Sequence, residues 1–294
     1  MVLHPVDRPG LRRPHLTAKV ENLAAVSAGS ASATFTLNVN RLQLTEVVDH
    51  TGVLQGNLQT LDGTTGALTT PSTISTDDAG ITYSGYVDKF AGMNFFAYDN
   101  AGFSIDLSQY VSANGYFTYT PNYASGGTHL ERFELQTAGG ATLLSLPITV
   151  QLSAHEPLFD SLPPAVSADS VFTLTGTQQT LDLTLVSATS HPEIDRINLG
   201  TSTYAVNTLK LSTADVLLSD IDVRTTGTGW SGLTASGKHQ MVIDGGSHDT
   251  INMVDGSWTQ GGTTTSNGNS YIIYNNGLAQ LLIDTDIQRM GAVI

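Results

Sequence analysis

The side chains best suited to chemistry are aspartates placed beside glycine turns. The candidates for a metal site are Asp244, Asp249, Asp255, Asp220 and Asp222, with Asp77 and Asp78 as a further pair. Calcium takes several oxygen ligands from carboxylates and carbonyls near tight turns, so this pattern predicts calcium as the ion that the chain binds. The alternative is that these aspartates cap turns and solvate loops, as acidic turn residues commonly do.

The familiar catalytic motifs are missing from the sequence. It contains no G-x-S-x-G, no H-E-x-x-H and no phosphate-binding loop. His239 and His248 are placed to meet across a hairpin, but lone histidines near turns are usually structural. Trp230 and Trp258 suggest a sugar-stacking platform, although large aromatic residues more often fill a β core. We therefore predict that the protein is not an enzyme, with a carbohydrate-active enzyme as the weakest alternative.

The composition limits the partners of the chain. Its 294 residues carry 12 basic and 26 acidic side chains, which gives a formal charge of −14. Such a chain cannot neutralise a run of phosphates, so we exclude nucleic acid as a partner. No run of about 18 apolar residues is present, so we expect no membrane span. The absence of cysteine excludes disulfides and thiolate metal sites.

The first thirty residues differ in charge from the rest. Arg8, Arg12, Arg13 and Lys19 accompany a single acidic residue in positions 1–20, leaving 8 basic against 25 acidic residues elsewhere, a charge of −17. Prolines in this segment disfavour a helix, and no apolar stretch of a secretory signal peptide follows. We predict that residues 1–30 form a basic arm, flexible or partly ordered. The alternative is that this arm docks on a neighbouring acidic subunit.

From residue 32 onward the hydrophobic pattern is that of short β-strands. Phe35 to Val39 alternate, and Leu42 to Leu44 continue in the opposite phase. This change of phase predicts a β-bulge or a change of sheet near residue 40. A long alternation from Leu144 to Leu152 closes the region. Residues 31–154 are therefore predicted to form an immunoglobulin-like or cadherin-like β-sandwich.

A second β-rich block follows a proline-containing linker at residues 155–170. Ser212–Asp215 predicts a capping box at the start of a short helix, and Asn275–Gly277 predicts a tight turn between the last strands. Residues 171–294 are predicted to be a second β domain. The predicted fold class is all-β, with two sandwich-like domains and a flexible N-terminal arm.

Two stretches resemble modules of very large bacterial surface proteins. The segment NGYFTYTPN at 114–122, followed by ITVQL at 148–152, is similar to cadherin-like and immunoglobulin-like repeats of bacterial adhesins. Residues 171–294 resemble the module near the C-terminus of RTX-type, type I-secreted adhesins. The matching segments occur in family order and begin at Leu181, Ile194, Asn207, Met241, Trp258, Tyr271 and Ala279.

The resemblance implies an extracellular structural or adhesive protein of a Gram-negative cell surface, exported without a cleaved N-terminal signal. Only one degenerate copy of the glycine-rich calcium repeat of that family is present, at residues 245–251. A solenoid needs about three or more stacked repeats to bury its core, so no β-roll is expected.

Two functional hypotheses follow. The first is a secreted structural subunit that assembles with copies of itself into a filament or S-layer, stabilised by calcium and joined by strand addition or arm docking. The second is an adhesin or biofilm-matrix module that binds a glycan, a protein or an outer-membrane component on another surface.

Overall fold

A computed structural model of the protein describes residues 2–5, 15–20, 33–38, 41–123, 126–153, 171–186, 194–200, 203–219 and 236–293. Within these ranges, β-strands dominate. The helical elements there are α1 (Thr213–Val216) and short 3-10 turns at Ser108–Tyr110 and Leu183–Leu185. The all-β class predicted from the sequence is confirmed.

The N-terminal strands form a small sheet of their own. Strands β1 (Val2–Pro5), β2 (His15–Val20) and β3 (Ala33–Asn38) pair antiparallel in that order. Because β1 and β2 lie within residues 1–30, the described part of the predicted arm is paired as strands. The next strand, β4 (Leu42–Asp49), belongs to another sheet. The chain thus changes sheets near residue 40, which is one of the two outcomes that the change of phase predicted.

Residues 41–153 fold into two facing sheets, which we call the sandwich. One sheet has the order β12-β9-β4-β5 and contains β5 (Leu54–Asn57), β9 (Thr82–Val87) and β12 (Tyr116–Tyr119). The other has the order β11-β10-β13-β14-β8 and contains β8 (Thr73–Thr76), β10 (Met93–Tyr98), β11 (Ser104–Asp106), β13 (Gly127–Thr137) and β14 (Thr142–Leu152). A separate ribbon pairs β6 (Thr60–Leu61) with β7 (Leu68–Thr69).

Aromatic side chains fill the interior of the sandwich. The ring of Phe133 on β13 lies 5.2 Å from Tyr83, 5.8 Å from Phe117 and 6.2 Å from Phe95, centroid to centroid. All four residues are buried. Alternating inward positions on antiparallel strands bring these rings together, because each strand places every second side chain on the core face. Such rings contribute both buried apolar area and favourable edge-to-face contacts.

Residues 171–293 form a different structure, which we call the stack. Its strands are β15 (Val171–Thr173), β16 (Gln179–Asp182), β17 (Arg196–Asn198), β18 (Thr208–Leu211), β19 (His239–Asp244), β20 (Thr250–Ser266), β21 (Asn269–Asn276), β22 (Ala279–Asp284) and β23 (Gln288–Val293). Strands β15, β17, β19 and β22 pair in parallel in one sheet, and β16, β18, β20 and β23 pair in parallel in a second. Successive coils of the chain therefore add one strand to each sheet.

The two sheets of the stack share one aliphatic core. In the first sheet Ile197, Ile243 and Ile283 stand in register on neighbouring strands, and in the second Leu209 is in register with Ile251. All five are fully buried in the same hydrophobic cluster. The expectation that no solenoid of this kind forms was therefore wrong. The coils stack through aliphatic columns and turn contacts, so tandem calcium repeats are not needed.

Strand β5 joins the sandwich to the stack. It pairs antiparallel with β4 on one side and with β16 on the other, and Val53 and Leu54 pack into the core of the stack. At Gly56 the backbone has φ = 111°, and an added Cβ would lie 2.1 Å from the carbonyl oxygen of Gln178. Only glycine allows this close approach. The two halves are therefore held together by main-chain pairing as well as by side chains.

Buried polar side chains line the turns between the two sheets of the stack. We call Asn57, Gln179, Asn207 and Asp249 the turn ladder; each is at most 5% exposed. Gln179 donates from Nε2 to the carbonyl of Asn57 at 2.9 Å, and its backbone N–H donates to Oδ1 of Asn207 at 2.9 Å. The backbone N–H of Asn207 donates to Oδ1 of Asp249 at 2.8 Å. The ladder satisfies buried backbone groups that the strands leave unpaired.

Candidate functional site

The predicted calcium ligands lie in different surroundings. Asp249 is fully buried in the turn ladder, and its two oxygens accept backbone N–H groups of Asn207 and Gly246, each at 2.8 Å. Burial raises the pKa of this carboxyl, although the two hydrogen bonds oppose the shift. Asp249 therefore holds together the glycine-rich segment that resembles a calcium repeat.

Asp255 accepts a hydrogen bond from the backbone at the start of α1. Its Oδ2 accepts the backbone N–H of Thr213 at 2.5 Å, and its Oδ1 accepts Nε1–H of Trp258 at 3.2 Å. The backbone N–H of Ser212 donates to Asp215 at 2.6 Å, in agreement with the predicted capping box. Trp258 is completely buried, so it offers no platform for a sugar. Trp230 lies outside the described residues.

The remaining aspartate candidates divide between the sandwich and undescribed positions. Asp220 and Asp222 lie outside the described residues. Asp78 accepts the backbone N–H and Nδ1 of His50 at 2.8 and 3.0 Å. Burial acts to raise the pKa of Asp78, but its hydrogen bonds outweigh that effect and lower it. Its neighbour Asp77 is partly buried beside Gly52, and burial raises its pKa.

His239 and His248, the two histidines considered for a shared site, lie near opposite ends of strand β19. His239 begins β19, and its Nδ1 lies 2.6 Å from the carbonyl oxygen of Ser219. His248 lies in the turn after the other end of β19, 3.4 Å from the hydroxyl of Ser247. A strand of six residues spans roughly 17 Å, and β19 does not pair with β20. The predicted hairpin contact between the histidines is therefore not formed.

Asp244, another of the calcium candidates, borders an open cleft. The cleft has a volume of about 510 Å³ and lies at the end of the first sheet of the stack, where Gly245 and Gly246 begin the turn. Its polar lining includes Arg196, Asn198, Asp244, Asn269, Asp284 and Asp286. We call these six residues the polar cleft. Its volume lies within the range of ordinary ligand pockets.

One wall of the polar cleft is a fixed ion pair. Arg196 on β17 donates through Nε to Oδ2 of Asp244, and Tyr271 donates its hydroxyl to Oδ1 of Asp244 at 2.6 Å. Burial alone would lower the pKa of Arg196, but the hydrogen bond to Asp244 holds it above its ordinary value. Burial and Asp244 raise the pKa of Tyr271 as well. Both donors therefore stay protonated, and the charge of Asp244 is balanced.

Two further carboxylates, those of Asp284 and Asp286, line the same cleft, and neither forms an ion pair with a described residue. Asp284 follows Ile283 on β22, and Asp244 follows Ile243 on the paired strand β19, so the two aspartates occupy neighbouring strands about 4.8 Å apart. Asp284 is 8% exposed, and its Oδ1 accepts the backbone N–H of Asp286 at 3.1 Å. Burial and the nearby charges of Asp286 and Asp244 raise the pKa of Asp284. The cleft therefore has an excess of negative charge.

Calcium binding stays a prediction. Within the described ranges, no group of three or more His, Cys, Asp or Glu side chains is arranged to hold a metal ion. In the same part of the chain, no helix has the length and apolar character needed to cross a bilayer. No protein-family model, no curated protein and no solved structure matches the chain.

Sequence reasoning selected Asp244 but missed its partners. Arg196, Tyr271 and Asp284 come from three different strands, and their proximity depends on the parallel pairing of β17, β19 and β22. The available signal was a repeated ending, because an aspartate followed by turn residues closes both β19 and β22. Without the pairing of those strands, that signal does not identify a common site.

Proposed function

We propose that this protein is a structural subunit that associates with copies of itself through an open strand edge. The observation that carries the proposal is that one edge of strand β11 has no described partner strand. This strand pairs with β10 and, among the described strands, with no other. Ile105 on this strand is 49% exposed, and Phe103, which directly precedes the strand, is 75% exposed. An edge of this kind is a template for pairing with another chain.

The register shows why these exposures are unusual. Ile105 pairs with Ala97 on β10, and Ala97 pairs with Phe133 on β13. Directly paired residues point to the same face of a sheet, so Ile105 belongs to the core face that holds the buried Ala97 and Phe133. Phe103 lies just before the strand and is exposed next to this edge. The core face therefore extends past its cover at Ile105, and a strand added at this edge would shield that side chain from water.

The ends of the stack argue for lateral rather than end-to-end association. β5 covers the outer edge of β16, and β21 covers the outer edge of β22. Each end of the stack is thus closed in one of its two sheets, while β15 and β23 each have one described neighbour. Covered terminal strands stop a solenoid from continuing into the next copy. We therefore place the main contact at β11 rather than at the stack ends.

The cellular setting is part of the same proposal. We place the protein outside a bacterial cell, in a filament or surface layer, with type I export as the route. The support comes from the resemblance of residues 171–294 to secreted adhesin modules and from a cysteine-free chain with an acidic body.

The test is self-association of the full chain and of a variant with a blocked edge. Sedimentation velocity and electron microscopy of the unaltered chain should show concentration-dependent oligomers or filaments. The double variant Phe103→Ser with Ile105→Lys should shift this equilibrium toward monomer by about tenfold or more, because a charge at an edge position opposes strand addition. Tyr110→Ser is a matched control, since Tyr110 is 60% exposed but lies outside β11.

Two outcomes would contradict the proposal. One is an unaltered chain that stays monomeric at every concentration, with calcium and with a chelator. The other is a double variant that keeps its thermal transition and still associates like the unaltered chain. The chelator arm also tests calcium, because loss of oligomers on chelation would support an ion at the interface.

A further inference from the structure

The charge imbalance of the polar cleft calls for a cationic ligand. Three carboxylates line the cleft, and Arg196 already pairs with Asp244. Asp284 is nine-tenths buried, and its second oxygen, Oδ2, has no hydrogen-bond partner among the described residues. A buried carboxylate without a counter-ion is costly, and a nearby cation relieves that cost. The site is therefore better suited to a cation than to an anion or a neutral apolar group.

The placement of the two carboxylates further restricts the chemical class of the cation. Asp284 and the exposed Asp286 are two residues apart, and both border the cleft opening. A guanidinium group presents several N–H donors in a rigid fork and pairs with carboxylates at two points. Arginine therefore suits this wall better than a point charge.

The chain itself supplies a segment with the required chemistry. Arg8, Arg12 and Arg13 all fall in residues 6–14, which connect the antiparallel strands β1 and β2. This connection contains one acidic residue, Asp7. A short basic segment thus accompanies a body with a charge of −17, and electrostatic attraction between the two favours encounter.

We propose that the polar cleft receives an arginine from residues 6–14 of a second copy of the chain. The inference rests on the self-association proposed above and adds a second contact to it. The position of the chain that follows the basic segment favours a second copy, rather than the same chain, as the source of the arginine. The segment reaches the sandwich through β3 and the start of β4 at Leu42, whereas β4 contacts β5 at its other end, through Val48 and Asp49. The chain that follows the segment therefore joins the sandwich at the end of β4 that is remote from the joint with the stack.

The direct test uses a labelled peptide of residues 1–20 and fluorescence anisotropy. The receptor is the full chain with Arg8, Arg12 and Arg13 changed to Gln, so that its own segment does not compete. The peptide should bind, and affinity should fall as salt shortens the screening length from about 10 Å at 0.1 M to about 3 Å at 1 M. Adding Asp284→Asn and Asp286→Asn to the receptor should weaken binding about tenfold or more, as expected when one side of a desolvated ion pair is removed.

Two controls make the result specific. Asp62→Asn in the receptor removes an exposed carboxylate in the turn between β6 and β7, outside the cleft and away from β11, and should leave binding unchanged. A peptide with glutamine in place of its three arginines should lose binding. Equal binding by the cleft variant, or by the glutamine peptide, would overturn the proposal.

Mixing variants identifies which copy supplies the arginine. A chain with the three Arg→Gln changes keeps its cleft, and a chain with Asp284→Asn and Asp286→Asn keeps its basic segment. An equal mixture should form more heteromeric complex than either variant forms alone. No gain on mixing would assign the contact to one and the same copy and overturn the proposal. If the unaltered chain associates but the peptide fails to bind, only the cleft contact is wrong; if the peptide binds but the chain stays monomeric, the self-association is wrong.

Discussion

The sandwich and the stack solve the same packing problem with different chemistry. The sandwich surrounds an aromatic cluster in which Phe133 contacts four other rings, and its strands are mostly antiparallel. The stack has aliphatic columns on short parallel strands, closed at their turns by the buried polar ladder. In the sandwich, apolar packing fixes the strand positions. In the stack, hydrogen bonds at the turns carry part of that role.

Because hydrogen bonds at the turns support the stack, the largest loss of stability is expected when Asn207 is replaced. Its Oδ1 accepts the backbone N–H of Gln179, and its Nδ2 donates to the carbonyls of Gly176 at 3.0 Å and Leu199 at 2.6 Å. Asn207→Ala leaves three buried backbone groups without partners, so we expect the free energy of unfolding to fall by about 3 kcal/mol or more. Denaturant unfolding followed by tryptophan fluorescence measures this, because Trp258 is buried in the stack core.

An exposed asparagine of the sandwich provides the control for that result. Asn114 also bonds its own turn, to Ser112 and Tyr116, but water replaces those bonds when its side chain is removed. Asn114→Ala should cost well under about 1 kcal/mol. Equal losses at Asn114 and Asn207 would show that burial of the ladder contributes nothing, and the contrast between the two halves would fail.

The two halves also differ in how far the sequence reveals them. In the sandwich, strict alternation marks antiparallel strands with one buried face, and the alternation predicted from Leu144 to Leu152 matches β14. In the stack, the strands that open the coils begin at 171, 196, 239 and 279, so no constant period exists for repeat detection to find. The ladder residues Gln179, Asn207 and Asp249 look like ordinary turn residues, since their contacts form only after the coils have stacked.

The residues of the polar cleft also differ in how far the sequence reveals them. Asp244 was predictable because an aspartate before two glycines is a local signal. Arg196 and Asp284 were not, because Arg196 precedes Asp244 by 48 residues, Asp284 follows it by 40, and both reach it only through strand register. Local chemistry can be read from sequence, whereas chemistry assembled across parallel strands requires the pairing.

A buried carboxylate of the sandwich predicts that the stability of this half depends on pH. Burial raises the pKa of Glu131 in the sandwich from 4.5 to about 7, with a smaller contribution from Asp99, while the hydroxyl of Tyr123 opposes the shift. Because the folded state binds this proton more tightly than the unfolded state, its contribution to stability is complete below pH 4.5 and is lost as pH rises through about 7. Glu131→Gln should therefore stabilise the protein at pH 8 by about 1–3 kcal/mol, with little change at pH 4.

Urea unfolding at pH 4 and pH 8 measures whether Glu131→Gln raises the free energy of unfolding at pH 8 alone. Glu134→Gln is the matched control on the same strand, since Glu134 pairs with Arg132 at 2.9 Å and its charge is balanced. It should give no gain at pH 8. Some pH dependence should persist in Glu131→Gln, because burial also raises the pKa of Asp49 to about 7. A Glu131→Gln variant whose stability differs from that of the unaltered chain by the same amount at both pH values would contradict the prediction.

The smallest predicted effects lie in the turns, where the two halves should behave alike. Gly140 in the β13–β14 turn has φ = 83°, and Gly277 in the β21–β22 turn has φ = 58°. An added Cβ at either position would meet no atom within 4 Å, so alanine costs only the left-handed backbone, about 1 kcal/mol at each site.

Matched glycines isolate that backbone cost. Gly139 and Gly262 have no positive φ and no close contact for an added Cβ, so Gly139→Ala and Gly262→Ala should change the thermal midpoint little. If Gly140→Ala and Gly277→Ala cost the same, the turns of both halves follow the same rules, and the contrast between sandwich and stack lies in their interiors. A much larger loss at Gly277 would instead mean that the hairpin covering β22 limits the stability of the whole stack, because the terminal strand of a solenoid protects the coils beneath it.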